Sequence, residues 1–309
     1  MIARSGQAPV EWANKLFLYT LSRKQYRPAP CFEAEEFLLG RSKSGVQRRI
    51  HPFSALKIVI KIGTGVLTRG EGVTLHHAMI ARLTQAIADL NEAGHRTIVV
   101  SSGAVGAGLM TFGLEERPTD TGMLQACAAV GQARLMHIYE SHFSHFNLKV
   151  AQLLLTHDDL TDEKRRANVR TTVDRLLEFP KVIPIVNEND SVAVFELKVG
   201  DNDLLSADVA SLAEADLLIL LTSAPGLRGP DAQDENDIIE TVENVESVLD
   251  FAGEDKGRLS VGGMRTKLSA VQKAVDAGIL TIIASGHHPE QLGELVAGAG
   301  KGTRFLPRR

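Results

Sequence analysis

The chain has 309 residues, 44% hydrophobic and 23% charged, a composition typical of a globular protein with enough apolar side chains for one large core or two modest ones. Its 34 basic and 38 acidic side chains give a formal net charge of −4, which argues against a protein that holds nucleic acid by bulk charge. No apolar run approaches the roughly 18 residues of a membrane helix, so we expect no bilayer-spanning segment. Two cysteines are too few for a disulfide framework and favour a reducing, cytoplasmic location. With 27 glycines and 5% aromatics, the composition favours an α/β enzyme over a β-sandwich.

Residues 1–54 differ from the remainder in charge and in patterning. They carry nine basic and four acidic side chains, a local net of +5 that leaves −9 for the other residues. Their periodicity is poor, and Pro28, Pro30 and Pro52 would break any long helix. Three interpretations stay open: a disordered or wrongly assigned start, a basic transit peptide, and a small docking arm. We therefore treat 1–54 as an extension and 55–309 as one domain.

From residue 56 onward, apolar strands alternate with helical spacing. In chain order, the pattern predicts a strand over 56–62, a helix over 74–93, a strand over 96–101, a helix over 121–147, a strand over 149–155, a helix over 161–178, a strand over 182–186, a helix over 207–215, a strand over 217–221, an acidic loop over 228–255, a helix over 264–277, a strand over 280–284 and a short helix over 289–297. Such alternation implies a mainly parallel sheet covered on both faces. We predict a three-layer α/β/α sandwich with substrates at the carboxyl ends of the strands.

Polar residues stand at several of these strand ends. Lys61 lies inside the first predicted strand, just before Gly63, and a lysine among isoleucines and valines is costly unless its ammonium meets an anion. An edge-strand lysine that reaches solvent is the alternative. The second strand ends at Ser101-Ser102-Gly103-Ala104 and opens a helix, where free backbone N–H groups can hold phosphate or carboxylate.

Two clusters of short acids and amides follow the fourth strand. Asn187-Glu188-Asn189-Asp190 comes first, and Gly200-Asp201-Asn202-Asp203 stands ten residues later. Asn and Asp also favour turns and caps, so plain turn chemistry is one interpretation. The functional alternative is a pocket of acceptors and amide donors for a small zwitterion such as an α-amino acid. Further on, Gly262-Gly263-Met264-Arg265-Thr266-Lys267 is typical of a glycine turn that delivers a lysine to a phosphate.

Over about residues 56–306, these motifs together resemble the amino acid kinase superfamily, and within it the glutamate 5-kinases. The other motifs that carry the resemblance are Ile60-Lys61-Ile62-Gly63-Thr64, Ala128-Ala129-Val130-Gly131-Gln132, Gln152-Leu153-Leu154-Leu155-Thr156 and Val199-Gly200-Asp201-Asn202-Asp203-Leu204. The resemblance implies the amino acid kinase fold, with glutamate held by the first part of the domain and ATP by the second. It also implies transfer of the ATP γ-phosphoryl group to the side-chain carboxylate of L-glutamate, the first step of proline synthesis.

The resemblance also implies roles for individual residues. Lys61, Lys267 and Asp203 would be catalytic, with Asp203 orienting the two lysines. Ser102, Asp190 and Asn202 would contact glutamate, supported by Asn187 and Asp201. The nucleotide would be bound by Lys61, Gly63, Thr222, Ser223, Val261, Gly262, Gly263, Met264, Arg265, Thr266 and Lys267. Mg²⁺ would enter with ATP, and no protein metal site is expected, because His137, His142 and His145 fit solvated or interface positions better.

The sequence departs from the family pattern on the nucleotide side alone. Ser223 stands where the family usually has an acid, Arg228 where it has a tyrosine, and Val261 where it has a threonine. Alternatives therefore stay open: another carboxylate kinase of the superfamily, such as an acetylglutamate, aspartate or carbamate kinase, or a non-catalytic regulatory homologue with a degraded nucleotide site. The family leads us to expect self-association and feedback inhibition by proline. Many members carry a C-terminal PUA domain, which we expect this protein to lack.

Overall fold

The computed structural model describes residues 39–41, 47–49, 55–69, 74–192, 201–234, 237–251 and 263–308. Strands β1 (Leu39–Arg41) and β2 (Gln47–Arg49) pair antiparallel. The remainder of the extension over 1–54 lies outside the described residues, so its three interpretations stay predictions. Val261 and Gly262 also lie outside the described residues, so their predicted nucleotide contacts stay predictions.

Ten further strands lie in the described part of the chain. They are β3 (Lys57–Ile62), β4 (Thr68–Arg69), β5 (Thr74–Leu75), β6 (Arg96–Ser101), β7 (Lys149–Leu155), β8 (Val182–Glu188), β9 (Leu217–Thr222), β10 (Thr241–Val242), β11 (Leu280–Ser285) and β12 (Thr303–Phe305). Eight of them form one sheet in the order β10-β12-β11-β9-β3-β6-β8-β7. Neighbours from β11 to β7 pair parallel, while β12 runs antiparallel to β11.

The helices connect these strands across both faces of the sheet. They are α1 (Thr64–Leu67), α2 (His77–Glu92), α3 (Ala104–Phe112), α4 (Thr121–Ser144), α5 (His157–Thr161), α6 (Glu163–Leu177), α7 (Asp201–Leu212), α8 (Met264–Asp276) and α9 (Leu292–Val296). Short 3₁₀ turns cover Val245–Phe251 and Pro289–Gln291. Of the helices in the described ranges, none combines the length and the apolar character that crossing a membrane requires.

The two-residue period of the central strand β3 divides the core. Ile58, Ile60 and Ile62 are buried with the apolar sides of α2, α4 and α9 in one cluster. Val59 belongs to a second cluster with α6, α7 and α8. Because successive side chains alternate between faces, Lys61 points to the same side as Val59, towards α7 and α8. The predicted three-layer sandwich with a mainly parallel sheet is confirmed.

Several predicted boundaries are wrong, and the errors have local causes. The helix predicted from 74 begins at His77, because 74 and 75 form a short hairpin strand with β4. The helix predicted over 161–178 is interrupted at Asp162, which has an extended backbone and caps α6, because its side-chain carboxylate accepts from the Arg165 N–H. The acidic loop over 228–255 contains β10, which pairs with β12 some sixty residues later in the chain and so carries no local signal.

One boundary error affects the site. The helix predicted over 207–215 begins at Asp201, so Asp201-Asn202-Asp203 form the first turn of α7 rather than a loop. Short polar residues are compatible with a helix start, where acids also favour the positive end of the helix dipole. Similarly, the strand predicted over 182–186 continues to Glu188, and this places Asn187 inside β8.

Candidate active site

Lys61 lies at the carboxyl end of the central strand, next to the point where the chain order reverses. Strand β3 is flanked by β6 on one side and β9 on the other, so the edge-strand interpretation is wrong. The lysine is only 6% exposed. Gly63 follows it and donates its N–H to the Leu221 carbonyl at 3.1 Å. A Cβ at Gly63 would lie 3.3 Å from that carbonyl and 3.6 Å from the Lys61 ammonium. Because glycine has no Cβ, the space beside the Lys61 ammonium stays open to a ligand.

Two lysines converge on one buried carboxylate. Asp203, on the first turn of α7, contacts Lys61 Nζ through Oδ1 at 2.5 Å and Lys267 Nζ through Oδ2 at 3.2 Å. All three side chains are buried, and they come from β3, α7 and α8. We call this group the lysine–aspartate triad. Two ammonium groups and one carboxylate give the triad one net positive charge, which suits a site for an anion.

The pKa values of Asp203 and Lys267 are both set by burial and by charge pairing. Burial by itself would raise the pKa of Asp203, but the adjacent Lys61 and Lys267 ammonium groups outweigh it and hold that pKa below its usual value. For Lys267, burial and the like charge of Lys61 lower the pKa, while Asp203 opposes the shift. Asp203 therefore stays ionised and keeps the two cations together in a poorly solvated place.

The helix α8 presents Lys267 from its first turn. Gly263 is the N-cap, and the Thr266 hydroxyl donates back to the Gly263 carbonyl at 2.8 Å. A second ion pair, Lys273 to Asp208 at 2.6 Å, joins the same two helices further along. The α7–α8 contact is thus held at two levels, and this fixes the direction from which Lys267 reaches Asp203.

A network of neutral side chains lies beside the triad. Asn187 Nδ2 donates to Gln132 Oε1 at 2.9 Å, and Asn187 Oδ1 accepts from the Glu188 N–H at 2.9 Å and from Asn202 Nδ2 at 3.1 Å. Asn202 Nδ2 also donates to Ser102 Oγ at 3.0 Å. We call Ser102, Gln132, Asn187 and Asn202 the amide network. Asn202 immediately precedes Asp203, so the first turn of α7 joins the network to the triad.

Two polar atoms of the amide network have no hydrogen-bond partner within the described residues. They are Gln132 Nε2 and Asn202 Oδ1. One is a donor and the other an acceptor, and both are buried. A small ligand that carries an acceptor beside a donor would satisfy both atoms.

Close packing of α3 against α4 brings Gln132 to the site. A Cβ at Gly131 would lie 1.8 Å from the Ala104 carbonyl oxygen and 2.4 Å from the Gly108 N. Glycine at 131 therefore allows the backbone of α4 to touch the first turn of α3, directly after Ser102. Gln132 belongs to the motif Ala128-Ala129-Val130-Gly131-Gln132, but the sequence assigns it no role, because a single buried amide on a helix has no distinctive spacing.

The turn that carries Ser102 is braced from the core. Gly103 has φ of +99°, a conformation that favours glycine, and it starts α3. Ser101 Oγ donates to the Ser102 carbonyl at 3.0 Å and lies 2.9 Å from the Tyr139 hydroxyl. Tyr139 is fully buried, and this burial raises its pKa. The hydroxyl pair thus stays neutral and fixes the end of β6.

The other predicted site residues lie outside the triad and the amide network. Asp190 lies half-buried beyond β8, and Asp201 begins α7, with nothing described of its side chain. On the nucleotide side, Thr222 ends β9 and is half-buried, while Ser223 and Arg265 are exposed. Met264 and Thr266 are half-buried in the first turn of α8. These positions share the carboxyl edge of the sheet with Lys61.

Two features lie outside the site. Cys127 is fully buried, and burial raises the pKa of its thiol. His142 and His145 have ring centroids 6.4 Å apart. Within the described ranges, no group of three or more His, Cys, Asp or Glu side chains is placed to hold a metal ion.

Comparison with known proteins places this geometry in a family. Residues 57–285 match the Amino acid kinase family. The chain is 48% identical to a glutamate 5-kinase of Geobacter metallireducens over 256 residues, which cover 82% of this chain and 68% of that protein. It is 45% identical to a glutamate 5-kinase of Sodalis glossinidius, over 82% of this chain and 69% of the relative.

Solved structures of low sequence identity share the fold. A carbamate kinase from Giardia lamblia superposes with a TM-score of 0.56 at 18% identity, over 83% of this chain and 100% of that one. An isopentenyl phosphate kinase from T. acidophilum gives a TM-score of 0.55 at 15% identity, over 81% and 99%. The sequence identities and the sheet topology agree: the chain belongs to the amino acid kinase family, and the two sequence relatives named above are glutamate 5-kinases.

Proposed function

We propose that this protein transfers the γ-phosphoryl group of ATP to the side-chain carboxylate of L-glutamate and releases L-glutamyl 5-phosphate and ADP. The observation that carries the proposal is the adjacency of the lysine–aspartate triad and the amide network. They meet at the consecutive residues Asn202 and Asp203, which belong to one helical turn. An anion-binding charge centre thus lies next to a site for a small polar acceptor.

The chemistry demands little proton transfer from the protein. A carboxylate is already ionised at neutral pH, so its oxygen can attack the γ-phosphorus while the bond from that phosphorus to the β-phosphate oxygen breaks. Catalysis then depends on positioning and on neutralising charge that shifts to the leaving nucleotide. A buried pair of lysines held by Asp203 supplies that neutralisation with little reorganisation, because the ammonium groups are already in place.

The two lysines take different parts in this scheme. Lys61, on the central strand beside Gly63, stabilises the transferring phosphoryl group, and Lys267, on the nucleotide side, stabilises the phosphates of the leaving ADP. Asp203 orients both lysines. Ser102 and Asn202 of the amide network contact glutamate together with Asp190, and Asn187 and Asp201 support them.

The nucleotide would occupy the edge formed by Gly63, Thr222, Ser223 and the segment 261–267. Mg²⁺ fits as a companion of the ATP phosphates rather than as a resident ion, because the carboxylate of the triad, Asp203, is already engaged by two lysines. Bound in that way, the ion would shield phosphate charge. Feedback inhibition by proline and self-association stay predictions.

An acyl-phosphate assay tests the proposal. The purified protein is incubated with ATP, Mg²⁺ and L-glutamate, and the product is trapped with hydroxylamine, with N-acetylglutamate, aspartate and carbamate as parallel substrates. We expect product with glutamate alone. The buried acceptor on Asn202 suits a free ammonium group better than the acylated nitrogen of N-acetylglutamate, the aspartate side chain is one methylene shorter, and carbamate has no α-ammonium group. Product with another acid instead would reassign the substrate. No product with any acid, with GTP also tried, would favour the regulatory homologue.

A further inference from the structure

Gln132 is a buried residue of the amide network to which neither the family motifs nor the proposed mechanism gives a task. It is 7% exposed, it lies on α4, and its Oε1 accepts from Asn187. Its Nε2 has no hydrogen-bond partner within the described residues. A buried amide N–H₂ group left without an acceptor has lost its hydrogen bonds to water without replacement, so an acceptor supplied by a ligand would stabilise it.

The direction of the Gln132 amide follows from a backbone group. The Glu188 N–H can only donate, so the atom of Asn187 that faces it at 2.9 Å must be the oxygen. The nitrogen of Asn187 therefore faces Gln132, which must offer its own oxygen to it. Gln132 Nε2 is then turned away from Asn187 and cannot be exchanged with Oε1 by an amide flip.

The same reasoning fixes Asn202. Its Nδ2 must face the oxygen of Asn187, at 3.1 Å, and it also donates to Ser102 Oγ at 3.0 Å. Its Oδ1 is left as a buried acceptor without a partner within the described residues. Ser102 accepts from Asn202, so its own hydroxyl hydrogen is available to a ligand. The network thus offers two donors, on Gln132 and Ser102, and one acceptor, on Asn202.

An α-amino acid carries the complementary groups on a single carbon. We propose that Gln132 Nε2 donates to the α-carboxylate of the substrate, while Asn202 Oδ1 accepts from the α-ammonium. Because a hydrogen bond to an ionised acceptor is stronger than one to a neutral carbonyl, Gln132 makes the site prefer a carboxylate over an amide at that position. This inference rests on the proposed function, because it assigns part of the same site. Gln132 would act as a substrate-binding residue, remote from the phosphoryl group.

Two variants of Gln132 separate binding from folding. Gln132→Glu keeps an oxygen for Asn187 but replaces the N–H donor with an anionic acceptor. We expect the KM for L-glutamate to rise about 10-fold to 100-fold, the scale of a hydrogen bond to a charged group, with the KM for ATP unchanged. The preference for L-glutamate over its α-amide should shrink, because the amide can donate to the new carboxylate.

The second variant and a control guard against a purely structural effect. Gln132→Met preserves helix propensity and side-chain volume, and we expect it to raise the KM for glutamate without reversing the amide preference. Thr97→Val removes another buried oxygen without a partner in the described residues, at the far end of β6, and should leave both KM values unchanged. If Gln132→Glu fails to fold, Gln132→Met decides.

The outcomes separate this inference from the proposed function. An inactive wild-type protein would refute the proposed function, and calorimetric binding of glutamate to the wild type and to Gln132→Met would still test the residue. An active wild type whose Gln132 variants keep the same KM for glutamate and the same preference over the α-amide would overturn the inference.

Discussion

The lysine–aspartate triad and the amide network lie side by side at the carboxyl edge of one sheet, yet their buried polar atoms are arranged differently. In the triad, Asp203 holds both lysines, and the group keeps a surplus of positive charge. In the amide network no charge is buried, but Gln132 Nε2 and Asn202 Oδ1 lack partners within the described residues. A charged group attracts any anion over a long distance. An incomplete hydrogen-bond network instead binds only a ligand whose donors and acceptors are correctly placed. The difference suits phosphoryl transfer on one side and substrate selection on the other.

Breaking the triad at its centre should have the largest effect. Asp203→Asn leaves two buried ammonium groups without their shared carboxylate, and removing one partner of a buried ion pair costs about 3–5 kcal/mol. We expect that loss in the free energy of unfolding measured by urea denaturation, together with loss of turnover. Asp208→Asn is the matched control, because its partner Lys273 is 45% exposed and can turn to water. Equal destabilisation by the two variants would contradict the special role of the triad.

The difference in stability between the wild type and Asp203→Asn should depend on pH. The pKa of Asp203 is lowered in the folded protein, so its contribution to stability is present above the ordinary carboxyl value of 3.8 and is lost as the pH falls through the lower folded value. The stability difference between the wild type and Asp203→Asn should therefore shrink when unfolding is followed from pH 7 down to below that value. A difference that grows on acidification would reverse the sign and refute the assignment.

Removing one lysine of the triad should lower turnover strongly while the protein still folds. Lys61→Ala is expected to lower turnover at least ~10²-fold, the scale for losing one electrostatic stabiliser of a transition state. Lys57→Ala provides the control on the same strand, since Lys57 donates to the Ala213 carbonyl at the other end of β3. The hydroxamate assay compares the two variants. Near-normal turnover in a folded Lys61→Ala protein would remove this residue from the mechanism.

Near the amide network, disturbing the backbone contact between α3 and α4 should change stability and the KM for glutamate more than removing one hydroxyl group. In Gly131→Ala the new Cβ meets backbone atoms of α3 at 1.8 and 2.4 Å, so the helices must separate. We expect a loss of about 1–3 kcal/mol in stability and a higher KM for glutamate. Gly122→Ala on the same helix is the control, because its nearest neighbour is at 3.4 Å and alanine favours a helix by about 0.5–1 kcal/mol. Equal stability of the two variants would show that the close approach is unimportant.

The smallest effect is expected for Ser102→Ala, which tests whether the amide network binds glutamate and not ATP. Ser102→Ala removes one acceptor for Asn202 and one donor for the ligand, which should raise the KM for glutamate about 2-fold to 10-fold and leave the KM for ATP unchanged. Steady-state kinetics with each substrate varied in turn measures both values. Ser144→Ala, an exposed hydroxyl on α4, is the reference substitution. A change in the KM for ATP alone would move Ser102 to the nucleotide side.

Local patterns predicted most of the framework. Strands 96–101 and 149–155 are found with the predicted ends, because a run of β-branched and apolar residues bounded by polar turns is a signal within one element. The helical start at Asp201 was missed, since three short polar residues have the same composition in a loop and in a first helical turn. The strand β10 was missed because its partner β12 lies far along the chain.

The sequence by itself determined the α/β class, the polar character of the strand ends and the family, because these depend on periodicity and on short motifs of neighbouring residues. The resemblance implied that Asp203 orients Lys61 and Lys267, and the tertiary structure supplied the contacts between them. Only the tertiary structure decided that Gln132 meets Asn187 across 55 residues of chain. Such contacts depend on sheet order, on the face to which each side chain points, and on how closely α3 and α4 approach. These are distances in space that no local spacing in the sequence encodes.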